Sequence, residues 1–148
     1  MSTMVQHEST RFGLLEVDEN AVLEFPAGLI GLPSTRWTLV TVDPDSVFLW
    51  LQSLEDPALA LPVTNPWLFF PDFSVELPNS DVERVGTDDP SQVQVLVTVR
   101  ASSEKSEMSA NLRAPIVIYG GRGHQIISED KDAPVRAPLF PQLAAEAA

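Results

Sequence analysis

The stretch QVQVLVTVR, residues 92–100, carries the clearest pattern in the chain. Val93, Val95, Val97 and Val99 recur at every second position. In an extended strand that spacing puts all four side chains on one face. Working outward, ANLRAPIVIY (110–119) sets Leu112, Ala114, Ile116 and Ile118 on one face. Gly120-Gly-Arg-Gly123 then closes a hairpin, and residues 124–128 return. Upstream, WTLVTV (37–42) is rich in β-formers and is broken by Asp43-Pro44-Asp45. VFLWLQ (47–52) is a short, nearly continuous apolar run. Turn-forming DPD and EDP flank it, so it reads as a strand buried on both faces rather than a helix. Residues 60–64 and 73–77 read as further strands. Residues 12–17 and 21–25 read as a hairpin around the turn at 18–20, and residues 26–33 form a loop with Gly28 and Gly31 free to take positive φ. Ser80-Asp-Val-Glu83 fits a capping box and Gly86 a C-terminal stop, which predicts one short helix near residues 80–86. The residues alone thus predict a mostly β single domain, an all-β sandwich or barrel.

Composition narrows the function. The chain has 148 residues, a formal charge of −12, no cysteine, two histidines and thirteen prolines. Long interior helices are excluded, because each interior proline costs about 3 kcal/mol. Without cysteine there is no disulfide, thiolate metal site or cysteine nucleophile, which fits a reducing cytosol. His7 and His124 cannot make a three-histidine zinc site. No apolar run is long enough for a membrane helix, and MSTMVQHEST has no signal-peptide core, so no membrane role is expected. Direct nucleic-acid binding is disfavoured, since an acidic surface repels phosphate and nine scattered Lys and Arg make no basic stripe. An acidic chain is better suited to a basic protein partner.

No catalytic constellation stands out. No GxSxG elbow is present, His7 falls in a polar segment (1–10) read as a flexible tail, and His124 lies beside the GGRG turn in a structural role. Carboxylate pairs such as Asp43/Asp45, Glu55/Asp56, Asp88/Asp89 and Glu129/Asp130 lie next to Pro or Ser and read as turn-makers. The glycine clusters at 28–31 and 120–123 lack the lysine and the helix start of a phosphate loop. The predicted catalytic, metal and cofactor sets are therefore all empty. What resists this bland reading is NPWLFFPDF (65–73), the densest aromatic segment. Trp67, Phe69, Phe70 and Phe73 cannot all face inward on an extended backbone. Either the chain kinks at its prolines or some rings stand outside, where aromatic anchors suit protein binding. Residues 129–148 read as a Pro/Ala-rich tail whose LAAEAA end is too short for a stable helix.

Several segments together resemble the flagellar assembly factor FliW family. They are RFGLLEVDENAVLEFPAGLIGLP (11–33), FLWLQSLEDPALALPVTNPWLFFPDFSVELP (48–78), VQVLVTVRASSEKSEMSANLRAPIVI (93–118) and APVRAPL (133–139). The most specific parts are Phe-Pro-x-Gly-Leu-x-Gly at 25–31, Leu-Gln-Ser at 51–53 with Asp56-Pro57, Phe-Phe-Pro-Asp at 69–72 and Asn-Leu-x-Ala-Pro at 111–115. Coverage runs from about residue 11 to 139, between a tail at 1–10 and an Ala-rich tail at 140–148.

The resemblance implies a small antiparallel β-barrel-like fold and a cytoplasmic, non-enzymatic regulator without cofactors. Its partners would be flagellin and the carbon storage regulator CsrA, a small basic RNA-binding dimer that represses flagellin translation. Flagellin would occupy the protein until exported, and the released protein would then antagonise CsrA allosterically. The residues expected to meet partners are Trp67, Phe69, Phe70 and Asp72 of the aromatic segment, with Asn111 and Arg113 alternating with the inward face of the following strand. A monomer is expected, as no helical seam or long free edge is legible. The competing readings are a competitive acidic mimic of RNA, which needs clustered rather than spread carboxylates, and a β-barrel enzyme using an Asp or Glu that the sequence does not single out.

Overall fold

The valine-rich stretch is a strand, and most of the architecture is built on it. The computed structural model describes residues 3–75, 83–87, 89–128 and 132–141. Its strands are β1 (Met4–Ser9), β2 (Gly13–Asp18), β3 (Leu23–Glu24), β4 (Arg36–Val40), β5 (Phe48–Ser53), β6 (Ala60–Thr64), β7 (Gln94–Arg100), β8 (Ser109–Ala110), β9 (Ile116–Tyr119), β10 (Arg122–Gln125) and β11 (Ala137–Pro138). Seven of them, in the order β7-β6-β5-β4-β3-β10-β9, close into a barrel when β9 pairs with β7. The barrel is antiparallel except where β3 meets β10 in parallel at Glu24 and Arg122. Strand β7 changes partner along its length. Gln94, Val95 and Leu96 pair with β9, whereas Val99 and Arg100 pair with β8, and β11 pairs in turn with β8.

Alternation decides which residues fill the barrel. Phe25, Leu29, Trp37, Leu51, Val63, Leu96, Ile116 and Ile118 form its buried core. Phe25 and Trp37 meet edge to face with centroids 6.4 Å apart. A Cβ at position 123 would overlap the Phe25 ring, so only glycine admits the ring there. Leu96 is therefore the inward residue of β7, and its valines point out of the barrel. They are buried all the same. Val97 and Val99 pack with Ala110, Leu112, Ala137 and Leu139 under Phe48, Phe69, Phe70, Phe73, Met108 and Phe140, an apolar layer outside the barrel wall. Val93 lies against a third cluster of Val85, Val117 and Ile126.

Several expectations are corrected. Residues 4–9 are not a tail but β1, paired along its whole length with β2. His7 thus sits in a strand opposite Leu15, its Nε2 buried. Strand β2 therefore pairs with β1, and residues 23–24 pair instead with β4 and β10. The hairpin tip is fastened to the barrel. Ser9 Oγ donates to Gln52 Oε1 at 2.8 Å, Thr10 N–H to the Pro57 carbonyl at 2.8 Å, and Arg11 lies 4.3 Å over the Trp50 ring. Trp50 is accordingly half-buried outside the barrel, and β5 is buried on both faces only at its Leu51-Gln52-Ser53 end. Residues 111–115 interrupt the strand read over 110–119, and of the strand read over 73–77 residues 73–75 are not a strand, while 76–77 lie outside the described residues. Phe140, placed in the tail by composition, packs edge to face on Phe69 at 5.8 Å. Of the expected helix, residues 83–85 are helical and Gly86 follows with φ 98°, while 80–82 lie outside the described residues. The tail residues 142–148 also lie outside them.

Candidate partner-binding surface

The aromatic segment kinks at its prolines, which settles how four rings share nine residues. Asn65 caps a 3₁₀ turn, Pro66–Leu68, its Oδ1 accepting the Trp67 N–H at 3.0 Å. Proline at the first position suits such a start, as its missing N–H would have no partner. The Phe69 and Phe70 N–H groups then donate to the Pro66 carbonyl at 3.1 and 2.8 Å, and Phe73 N–H to the Phe70 carbonyl at 2.9 Å. The chain coils rather than extends. Phe69 reaches the outer apolar layer, stacked on Phe48 at 5.9 Å, and Phe70 and Phe73 join it half-buried.

Trp67 stays on the surface, 39% exposed beside Leu68 at 58%. It is still held in place, because its indole N–H donates to the Phe73 carbonyl at 2.6 Å and its ring meets Phe73 edge to face at 5.5 Å. A fixed, half-exposed indole loses little entropy on contact, which is what an interface anchor requires. Asp72 is exposed a few residues away. Trp67, Leu68 and Asp72 are thus all exposed on one coiled segment, in which Phe73 holds Trp67 and Phe69 and Phe70 enter the outer apolar layer.

Asn111 and Arg113 are not part of this surface. Ala110 and Leu112 enter the outer apolar layer, so Asn111 between them turns the other way. Its Oδ1 accepts the N–H groups of Arg113 and Ala114 at 3.0 and 3.2 Å, a side-chain turn that starts the break before β9. The Arg113 carbonyl accepts the Ser128 N–H at 2.7 Å.

The other family-like motifs are structural. Gln52 Nε2 donates to the Ser53 and Leu59 carbonyls at 2.9 and 3.1 Å. Ser53 Oγ accepts the N–H groups of Glu55 and Asp56 and donates to Ser34 Oγ at 2.9 Å. Glu55 accepts the backbone N–H groups of Thr35 and Arg36 and the Thr35 hydroxyl, which holds its carboxyl below the ordinary carboxylate range. The carboxylates of Asp18, Asp43, Asp56 and Asp89 each accept an N–H two residues on, the turn-making role expected of them. Gly28 has φ 67°, and a Cβ there would come within 2.6 Å of the Leu32 carbonyl oxygen, so the 25–31 motif shapes a loop. Among the described residues no group of three or more His, Asp or Glu could hold a metal, and no helix is long and apolar enough to cross a membrane. Sequence reasoning missed the second face of the β7-β8-β11 extension, which carries Arg100 and Arg136. Their positions in register signal it, but only once β8 and β11 are known to pair.

Comparisons with known proteins agree with this fold. The family described as "FliW protein" matches residues 6–139. A flagellar assembly factor FliW from Alkaliphilus metalliredigens is 39% identical over 113 residues, 75% of this chain and 70% of that one. Another, from Syntrophus aciditrophicus, is 36% identical over 135 residues, 89% of this chain and 85% of that one. A crystal structure of the flagellar assembly factor FliW superposes with a TM-score of 0.85 at 26% identity, covering 93% of this chain and 98% of the other. With the match spanning the β1–β2 hairpin, the closed barrel, the aromatic segment and β11, the chain belongs to the FliW family of flagellar assembly factors.

Proposed function

We propose that this protein is a non-enzymatic partner switch that binds flagellin in the cytoplasm and, when released from it, binds and antagonises the translational regulator CsrA. The observation that carries the reading is family membership over residues 6–139 in a chain whose held but exposed Trp67 surface suits protein contact. A charge of −12 favours a basic partner such as CsrA, steering encounter and making that association salt-sensitive. Trp67, Leu68 and Asp72 are the residues we assign to partner contact, with Phe69 and Phe70 holding them in place. Acting by occupancy alone, such a switch needs no reacting group.

Titration calorimetry of the purified protein against flagellin and against CsrA, followed by competition, tests the reading. The expected result is binding to both, with flagellin displacing CsrA. Failure to bind either at micromolar concentration overturns it. Binding to flagellin alone overturns the CsrA half.

A further inference from the structure

The extension formed by the C-terminal half of β7 with β8 and β11 has two faces, and only one is covered. Pairing places Arg100 opposite Ser109, and Ser109 opposite Pro138. Thr98, two residues before Arg100 in β7, shares that face, and Asn111 and Arg136, which flank β8 and β11, line the same cleft as Arg100 and Ser109. The opposite face carries Val97, Val99, Ala110, Leu112, Ala137 and Leu139 and is buried under the phenylalanines. On the uncovered face lie two adjoining clefts of about 410 and 450 Å³, and Arg100, Ser109 and Arg136 line both. The first is walled on its barrel side by aliphatic residues, including Leu61 and Ile30, and on its outer side by Val135. Ile30 and Val135 are 56% and 50% exposed.

The charge here runs against the rest of the molecule. Arg100 and Arg136 are two of only nine Lys and Arg in a chain with twenty-one acids. Both are exposed, and among the described residues neither has an ion-pair partner. Among the described residues the one acid lining these clefts, Glu107, accepts the Ser102 hydroxyl at 3.2 Å. Guanidinium groups beside an aliphatic wall complement carboxylates on an aliphatic peptide, through paired N–H donation to each carboxylate. Strand addition to β11 is unfavourable, because Pro138 has no N–H to donate, so an occupant would lie in the groove. We infer that this groove is a second docking site, distinct from the Trp67 surface, for a protein segment that is acidic and aliphatic. The inference is independent of the identity of the partners proposed above.

The test uses the full chain and a short fluorescein-labelled peptide in which leucine and glutamate alternate, followed by fluorescence anisotropy. Saturable binding is expected, with the counterpart carrying lysine in place of glutamate failing to bind. The double variant Arg100→Gln, Arg136→Gln should lose about tenfold in affinity, the scale of two partly exposed charge-assisted contacts. Ile30→Ser should weaken binding with the arginines intact, and Trp67→Ala should leave it unchanged. Both arginines are on the surface, and an unchanged circular dichroism spectrum and melting midpoint will confirm folding of the variants. Equal binding of the lysine peptide, no saturable binding of the glutamate peptide, or an unaltered affinity in the double arginine variant would each overturn the proposal. So would sedimentation showing that the groove is filled by a second copy of the chain.

Discussion

Two apolar regions sit back to back across the wall of this barrel, and they are built to different standards. The interior is closed on all sides, with Phe25, Trp37, Leu51, Val63 and Ile116 at zero exposure, and it tolerates the Phe25 ring only because residue 123 has no side chain. The outer layer is roofed by rings that are half in water, among them Phe48, Phe69, Phe70 and Phe73. The inner region sets the fold, since a close-packed interior resists any change of volume. The outer one spends part of its apolar surface on being reachable. The Trp67 surface is the part of that roof left open.

The widest gap between the two regions should show on truncation. Phe25→Ala is expected to destabilise the fold by about 3–5 kcal/mol, the range for a buried aromatic, measured by urea unfolding. Gly123→Ala should cost about 1–3 kcal/mol by overpacking, and Phe25→Leu in that background should recover part of the loss. Independent, additive effects would break the claim that these two positions share one space.

Across the wall the effects should be smaller and should divide by role. Phe69→Ala should cost about 2 kcal/mol, less than a buried ring because its site is half open to water. Trp67→Ala should cost under about 1 kcal/mol in stability yet weaken partner binding at least tenfold in calorimetry, as truncation of an aromatic anchor does. If Trp67→Ala melts the domain and spares binding, the outer layer is only a second core.

Glu55 offers the smallest and most specific test. Its carboxyl titrates below the ordinary range because two backbone N–H groups and the Thr35 hydroxyl bind the charged form. Its contribution is therefore complete above the unfolded-state value, about 4.3, and is lost as the pH falls through the lower folded-state value. The stability difference between the native chain and Glu55→Gln should be largest near neutrality and shrink as the solution is acidified below about pH 4. A difference that does not change with pH would mean that the carboxylate's charge contributes nothing there.

How much of this was legible depended on where each strand hides its apolar side. Strands β5, β6 and β7 are seen because β-branched and apolar residues crowd short stretches between turn residues. Alternation in β7 fixes parity correctly, yet parity cannot say which side is the inside, since the valine face is buried too. Strand β1 is illegible because a two-stranded ribbon lying outside the barrel needs no apolar stripe. Its sequence, MVQHES, is mostly exposed. The break at 111–115 hides behind a regular pattern, because one Asn side chain replaces the ladder with a turn. For the surface residues chosen, the coil at Pro66–Leu68 and the exposure of Trp67 and Asp72 follow from the segment's aromatic density and its prolines. Asn111 and Arg113 were selected by alternation in a strand that ends before them. The arginine groove depends on pairing between residues far apart in sequence, which no local pattern encodes.

Strand β7 carries a consequence of its own. It is hydrogen-bonded on one edge to β6 and on the other first to β9 and then to β8, so the barrel and its extension have no seam along which to part. Its central amides can exchange with solvent only when the whole domain opens, making barrel and extension one cooperative unit of unfolding. A segment seated on the uncovered face of the extension, or on the aromatic roof of the other, would therefore draw its energy against the same global equilibrium. Each partner raises the melting temperature of the entire domain, and amides deep in the barrel slow their exchange although nothing has touched them.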